Sequence, residues 1–343
     1  MVVLFWINSL KRMWLLGLVT FFLVCTCNLI YNHSSTGIKV STAVGNVSKA
    51  NSRLIKHAMG ETWIPVHPQR VVILHGFLWE DAIALGFKPV GAAVRGWASI
   101  TPPQISLEQL QGVVDVGYIP TNIEKVLAVK PDLILGTFDG QKDIYPFLSH
   151  IAPTVIVQIK IHDWKDHFIR VAEALDMTNE AQKVLTDYNS RLKNFRDVMG
   201  DRLSKIRLSV IGFEKEMCWL FNQQKNSFSY SILSELGLIR TASLNQNTRI
   251  LQSLIPKPEN YLISWERVDE IDGDVIFVTT FAFRKEEETQ KNLKQLQSVP
   301  LWFKLKAVQQ NKVYRVGAYW IGNGPLAANR VVDDLFRYLV NKP

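Results

Sequence analysis

The sequence predicts an α/β protein of two similar lobes joined by a single long rigid helix, with a ligand cleft between the lobes. Three observations carry this. A short pattern occurs once in each half of the chain. Short apolar runs alternate with helical stretches on either side of the middle. Between them, from about Asp163 to Leu203, helical spacing continues with almost no breakers.

The repeated pattern begins Asn122-Ile-Glu124-Lys125-Val126 in the first half and Ser264-Trp-Glu266-Arg267-Val268 in the second. In both, an Asp follows the Glu by eight positions, Asp132 and Asp274, and opens an apolar run ending in Thr137 or Thr279. A single repeat at this separation indicates two lobes of like build, not a tandem array. Glu124 and Glu266 therefore hold equivalent places.

In chain order, Arg70 to Leu74 reads as a buried strand, and Glu80 to Leu85 as a helix ended by Gly86. Pro89 to Val94 is a second strand. Ile123 to Val129 is a helix stopped before Pro131. Leu133 to Thr137 and Thr154 to Gln158 are further strands, and the alternation indicates a parallel sheet. The central helical run carries Phe168, Val171, Leu175, Val184, Leu185, Tyr188, Leu192 and Phe195 at three- and four-residue steps, with an interruption at Met177-Thr-Asn179. Arg207 to Phe213 restarts the α/β pattern, Tyr230 to Leu236 is a helix ended by Gly237, and Val275 to Thr279 and Val313 to Val316 are strands. Leu326 to Val340 is an amphipathic terminal helix on which Asp333 and Asp334 read as solvated or capping charges.

The chain has 343 residues, enough for two domains. Its 47% hydrophobic and 20% charged fractions suit a folded protein. The net charge of +8 is spread out, without the dense basic runs of a nucleic-acid tail, so no nucleic-acid partner is expected. Lys11 and Arg12 precede an apolar stretch, Met13 to Val24, too short for a comfortable membrane span and shaped like an export signal. Val24-Cys25-Thr26-Cys27 resembles a bacterial lipoprotein cleavage site with Cys27 as the lipidated residue, although Thr26 departs from the usual small residue there. The expected organisation is a signal over 1–27, a polar tether over 28–55, an N-terminal lobe over 56–160, a linking helix over 161–204 and a C-terminal lobe over 205–343. Beyond the signal the only cysteine is Cys218, so the exported domain has no internal disulfide and Cys218 reads as a small core residue.

No Gly-x-Ser-x-Gly elbow, Walker loop or Gly-x-Gly-x-x-Gly element is present. The histidines are scattered. His162 and His167 are five apart, wrong for one helix face, and His75 is the best-placed metal candidate only because it follows a strand. No resident cofactor or metal is expected. In α/β sheets ligands bind beyond the C-terminal ends of strands. The segments there include Arg95, Trp97, Trp219, Arg284 and Trp320, and Arg249 and Tyr261 join them as candidate cleft residues. Aromatic walls with several arginines suit a bulky anionic ligand with planar parts.

The chain resembles the periplasmic binding proteins that serve ferric-siderophore, haem and cobalamin importers. Leu85-Gly-Phe-Lys-Pro-Val-Gly91, Asn122-Ile-Glu through Lys130-Pro-Asp-Leu-Ile134, Ile151-Ala-Pro-Thr-Val155, Ser264-Trp-Glu266 and Trp320-Ile-Gly-Asn-Gly-Pro-Leu-Ala-Ala-Asn329 carry the resemblance, from about residue 56 to the end. The Ile-Ala-Pro-Thr and Pro-Leu-Ala-Ala-Asn versions are most similar to iron-siderophore members. The resemblance implies a monomer that binds a ferric siderophore, of hydroxamate or citrate-hydroxamate type, with haem or a corrinoid as the alternative. It implies no enzymatic activity, and delivery to an ABC permease and its ATPase, with Glu124 and Glu266 docking onto permease arginines. An exported enzyme, or a sensor lipoprotein that has lost transport, are the readings from other classes.

Overall fold

The computed structural model describes residues 51–94, 106–214, 217–221, 227–240, 262–279 and 286–341. The export signal and most of the tether lie outside these residues. The tether ends earlier than the sequence suggests, because Ser52–His57 already forms strand β1. It pairs antiparallel with β2, Gly60–Pro65. This hairpin lies against the edge of the first sheet, where Ala58 N–H donates to the Ile156 carbonyl at 2.9 Å. It covers an edge that would otherwise expose unpaired backbone.

The N-terminal sheet contains β3 (Val71–Ile73), β4 (Gly91–Ala92), β5 (Val114–Asp115), β6 (Leu133–Thr137) and β7 (Thr154–Val157), in the order β5-β4-β3-β6-β7. All four pairings are parallel. Helix α1 (Gly76–Ala84) follows β3, α2 (Ile123–Ala128) precedes β6, and α3 (Tyr145–Ile151) leads into β7. The backbone passes out of α1 through Gly86 at φ 83°, a left-handed position that glycine takes without a Cβ clash. Asn122 caps α2 by accepting from Lys125 N–H at 2.9 Å.

The central helical run is two helices, α4 (Trp164–Leu175) and α5 (Thr178–Met199). Asp176, at φ 60°, ends the first, next to the interruption read from the sequence. The 22 residues of α5 span about 33 Å. Ala181, Tyr188, Leu192, Phe195 and Met199 form its buried face.

The C-terminal sheet departs from the expected all-parallel copy. Strand β8 (Arg207–Glu214) turns back into β9 (Met217–Leu220), and β11 (Leu262–Ser264) pairs antiparallel with β9. β12 (Val275–Val278) and β13 (Val313–Arg315) run parallel to β8, giving the order β11-β9-β8-β12-β13. β10 (Ile239–Arg240) pairs with the start of β8 after α6 (Phe228–Leu236). The Glu266 segment is 3₁₀, over Trp265–Ile271, where its counterpart in the first lobe is α-helical. Helix α7 (Glu286–Leu296), a 3₁₀ segment over Pro300–Lys304 and helix α8 (Pro325–Leu335) complete the lobe, and α8 runs on into a π-helical turn over Phe336–Val340.

The repeated Asp residues do the same work in both lobes. Asp132 N–H donates to the Arg70 carbonyl at 2.9 Å and its carboxylate accepts from Arg70 N–H at 3.0 Å. Asp274 N–H donates to the Arg207 carbonyl and its carboxylate accepts from Arg207 N–H, both at 2.7 Å. Each closes a two-way bond at the entry to the neighbouring strand, β3 or β8. A backbone N–H at such a strand start needs an acceptor, and the carboxylate supplies one.

One apolar cluster runs through both lobes and the linking helices, from Trp79 and Phe168 through Tyr188 and Phe195 to Phe277 and Leu335. Helix α8 returns from the second lobe to pack on α1, α4 and α5. The lobes are therefore joined by the C-terminal helix as well as by α4 and α5.

Candidate functional site

The candidate site is built on the C-terminal ends of the parallel strands. In the first lobe, His75 follows β3 and caps α1, its Nδ1 accepting from Phe77 N–H at 3.1 Å. Its ring meets Phe77 at 4.9 Å and stands edge-on to Tyr118 at 5.1 Å. Burial depresses the imidazole pKa to about 3, helped by the charge of His167. The ring is neutral and its Nδ1 is committed to the helix cap. Burial raises the Tyr118 phenol above its usual range, against a hydrogen bond to Thr137. After β6, Lys142 Nζ lies 5.4 Å over the Phe138 ring. Gln141 Oε1 accepts from Thr137 N–H at 2.8 Å and pins the turn. Phe77 and Tyr118 thus flank the His75 ring, and Phe138 carries the Lys142 cation. Tyr118 escaped the sequence reading because the preceding strand is only two residues long; the Val114-Asp-Val-Gly run before it was the available signal.

In the second lobe Trp219, on β9, is partly exposed and stacks with Phe221 at 6.5 Å and 13°. Its indole Nε1 is closed to solvent, so only part of the residue is open. Trp320 is a correction. It is fully buried, stacks on Phe277 at 4.6 Å, and donates Nε1–H to Asp334 at 2.9 Å. It belongs to the core below the loop, not to a cleft surface. Arg95, Trp97, Arg249, Tyr261 and Arg284 lie outside the described residues, as does Cys27.

Asp334 is the second correction. It is buried, and accepts from both Trp320 and the Tyr319 hydroxyl, the latter at 2.8 Å. Burial raises its pKa against these two hydrogen bonds. Asp333 is exposed and pairs with Arg191 of α5.

His167 is enclosed at the junction of α1, α4 and α8. Its Nδ1 lies 2.6 Å from Asp81 Oδ2, with both side chains closed to solvent. Burial lowers the His167 pKa, but Asp81, Asn323 and Glu80 together offset it and the net shift is upward. Among the described residues no cluster of three or more His, Cys, Asp and Glu side chains is placed to hold a metal ion.

Glu124 and Glu266 are both exposed and both sit in the first turn of their segments. The basic residue after each folds back on its own lobe. Lys125 Nζ donates to the Asp115 carbonyl at 3.0 Å, and Arg267 pairs with Glu270 at 2.6 Å. The two acids are left facing outward.

Two α/β lobes bridged by helices are the architecture of a solute-binding type of fold. The chain belongs to the periplasmic binding protein family, which it matches over residues 71–319. It is 31% identical over 304 residues to the probable siderophore-binding lipoprotein YfiY of Bacillus subtilis, covering 88% of this chain and 91% of that protein. It is 27% identical over 287 residues to the iron(3+)-hydroxamate-binding protein YxeB of the same organism, covering 82% and 83%. Among solved structures it resembles Staphylococcus aureus SirA complexed with staphyloferrin B, with a TM-score of 0.68, 27% identity, and coverage of 84% of this chain and 98% of that one.

Proposed function

We propose that this protein is the extracytoplasmic substrate-binding component of an ABC importer, capturing a ferric siderophore of hydroxamate or citrate-hydroxamate type and delivering it to the permease. The observation that carries the reading is the combination of family membership with the similarity to a siderophore-binding lipoprotein across nearly the full length of both chains. Aromatic side chains that follow strands of the first sheet, Phe77, Tyr118 and Phe138, support an apolar-walled site for a bulky chelate. Iron arrives already chelated in this reading, so the protein needs no metal ligands of its own and performs no reaction. Cys27 is the lipid attachment point, and residues after it tether the domain to the outer face of the membrane. Arg95, Arg249 and Arg284 supply the positive charge for the chelate's oxygens, with Trp97 and Tyr261 beside them.

Titration of the exported domain with ferric hydroxamates, ferric citrate, haem and cobalamin, followed by Trp fluorescence, tests this. Ferric chelates should quench strongly. Each Arg→Ala variant should lose about ten- to a hundredfold in affinity, as expected for one charge-assisted contact. Binding of haem or cobalamin alone would overturn the siderophore assignment. Cys27→Ser should move the protein from the membrane fraction to the soluble one.

A further inference from the structure

Each lobe displays an exposed phenylalanine on a crossover segment that packs against the segment carrying its outward-facing acid. In the first lobe, α2 carries Glu124, β6 follows, and the crossover to parallel β7 includes α3, which packs on α2 and leaves Phe147 65% exposed. In the second, the 3₁₀ segment with Glu266 precedes β12. The crossover to parallel β13 includes the Pro300–Lys304 segment, which packs on the Glu266 segment and leaves Phe303 61% exposed. In both, the exposed ring is adjacent in sequence to the residue that anchors its segment. Leu148 and Trp302 are buried in the cores of their respective lobes. Leu127, three positions from Glu124 and so on the same face of α2, adds a 59% exposed apolar side chain.

Single exposed apolar residues are ordinary on a protein surface. These differ because they recur at the same topological position in two lobes whose sheets are otherwise built differently. Nothing in the folding of either lobe requires it, since the anchoring is done by Leu148 and Trp302. A repeated acid-plus-aromatic pair fits a partner that presents the same surface twice.

We propose that Phe147 and Phe303, with Leu127, are the apolar anchors of the permease-docking surface around Glu124 and Glu266. This rests on the importer reading given above. The partner chemistry is a two-fold-symmetric membrane protein whose halves each offer a basic side chain rimmed by apolar surface. The acids steer and orient the encounter, and the rings exclude water from the ion pairs, which strengthens them. Without the rings, the pairs would be solvent-screened and weak.

The test uses the lipidated full chain and its permease–ATPase complex in nanodiscs, with docking and stimulated ATP hydrolysis as readouts. Phe147→Ser and Phe303→Ser should each weaken docking about tenfold or more, the size of an interface anchor, and the double variant more than either. Val198→Ser, on the exposed side of α5, should change nothing. Chelate titration by Trp fluorescence should be unaltered in every variant, which separates docking from folding. If both Phe variants dock like the parent while Glu124→Ala and Glu266→Ala do not, the anchors are wrong and the importer reading stands. If the Glu variants also dock normally, the docking reading itself falls. If the Phe variants instead lose binding to empty anionic-lipid nanodiscs and keep permease affinity, the rings contact lipid and the inference is overturned.

Discussion

The Glu80 carboxylate accepts a 2.8 Å hydrogen bond from the backbone N–H of Ala327, joining the first helix of one lobe to the first turn of the C-terminal helix of the other. Helix α8 begins Gly324-Pro325-Leu326-Ala327, and its N-cap residue, Gly324, has no side chain to cap it. Glu80 supplies the missing acceptor from across the lobe junction, where it also meets the positive end of the helix dipole. The close fit depends on Gly324, because a Cβ there would lie 2.9 Å from the Glu80 carboxyl carbon.

Glu80→Ala should therefore lower unfolding stability by about 1–3 kcal/mol, the cost of leaving a buried donor unsatisfied. Gly324→Ala should destabilise by displacing the same carboxylate. Urea unfolding followed by circular dichroism measures both. An unchanged midpoint for both variants would rule out the capping role.

His75 sets an acid limit on stability. Its folded pKa is about 3, below the ordinary value of 6.5, so the unfolded chain takes up a proton that the folded chain refuses. Its contribution is fully present above pH 6.5 and is lost progressively as pH falls from there toward about 3. Protonation also removes the Nδ1 lone pair that accepts from Phe77. His75→Asn keeps a capping acceptor without the titration. Thermal melts between pH 7 and pH 4 should fall less steeply for His75→Asn than for the parent. Parallel curves would contradict the assignment.

Asp132 and Asp274 should prove equivalent. Either Asp→Ala should cost about 1–2 kcal/mol through loss of the bond to the neighbouring strand entry. For Asp274, burial raises the pKa, but Lys306 and the Arg207 N–H outweigh it and the net shift is downward. Its stabilisation is thus present above the ordinary carboxylate range and lost as pH falls through the depressed value. Guanidinium titrations of both variants at pH 7 check the size, and repeating that of Asp274→Ala at pH 3 checks the sign.

Cys218 should be inert in the native protein. Burial pushes its thiol pKa up to about 12, leaving almost no thiolate at neutral pH. Iodoacetamide should label it only on unfolding, so labelling at neutral pH reports opening of the second lobe. Rapid native labelling would show that the β8–β9 hairpin is looser than its packing indicates.

The sequence by itself determined the two-lobed α/β class, because period-two and 3.6-residue patterns, glycine stops at Gly86 and Gly237, and the twin Glu–Asp pattern are all local signals. It also marked Glu124 and Glu266, whose outward placement follows from opening a helical segment. The antiparallel β9 and β11 were not legible, since an apolar run carries no direction and strand pairing is a long-range choice. Trp320 and Asp334 were misread for a related reason. An indole after a strand and an acid on a terminal helix look solvent-facing until each becomes the other's hydrogen-bond partner. Adjacent acids such as Glu80 and Asp81 carry no burial signal of their own. Only the convergence of α1, α4 and α8 at the lobe junction closes them off from water, and there a carboxylate persists because Ala327 and His167 replace the solvent it lost.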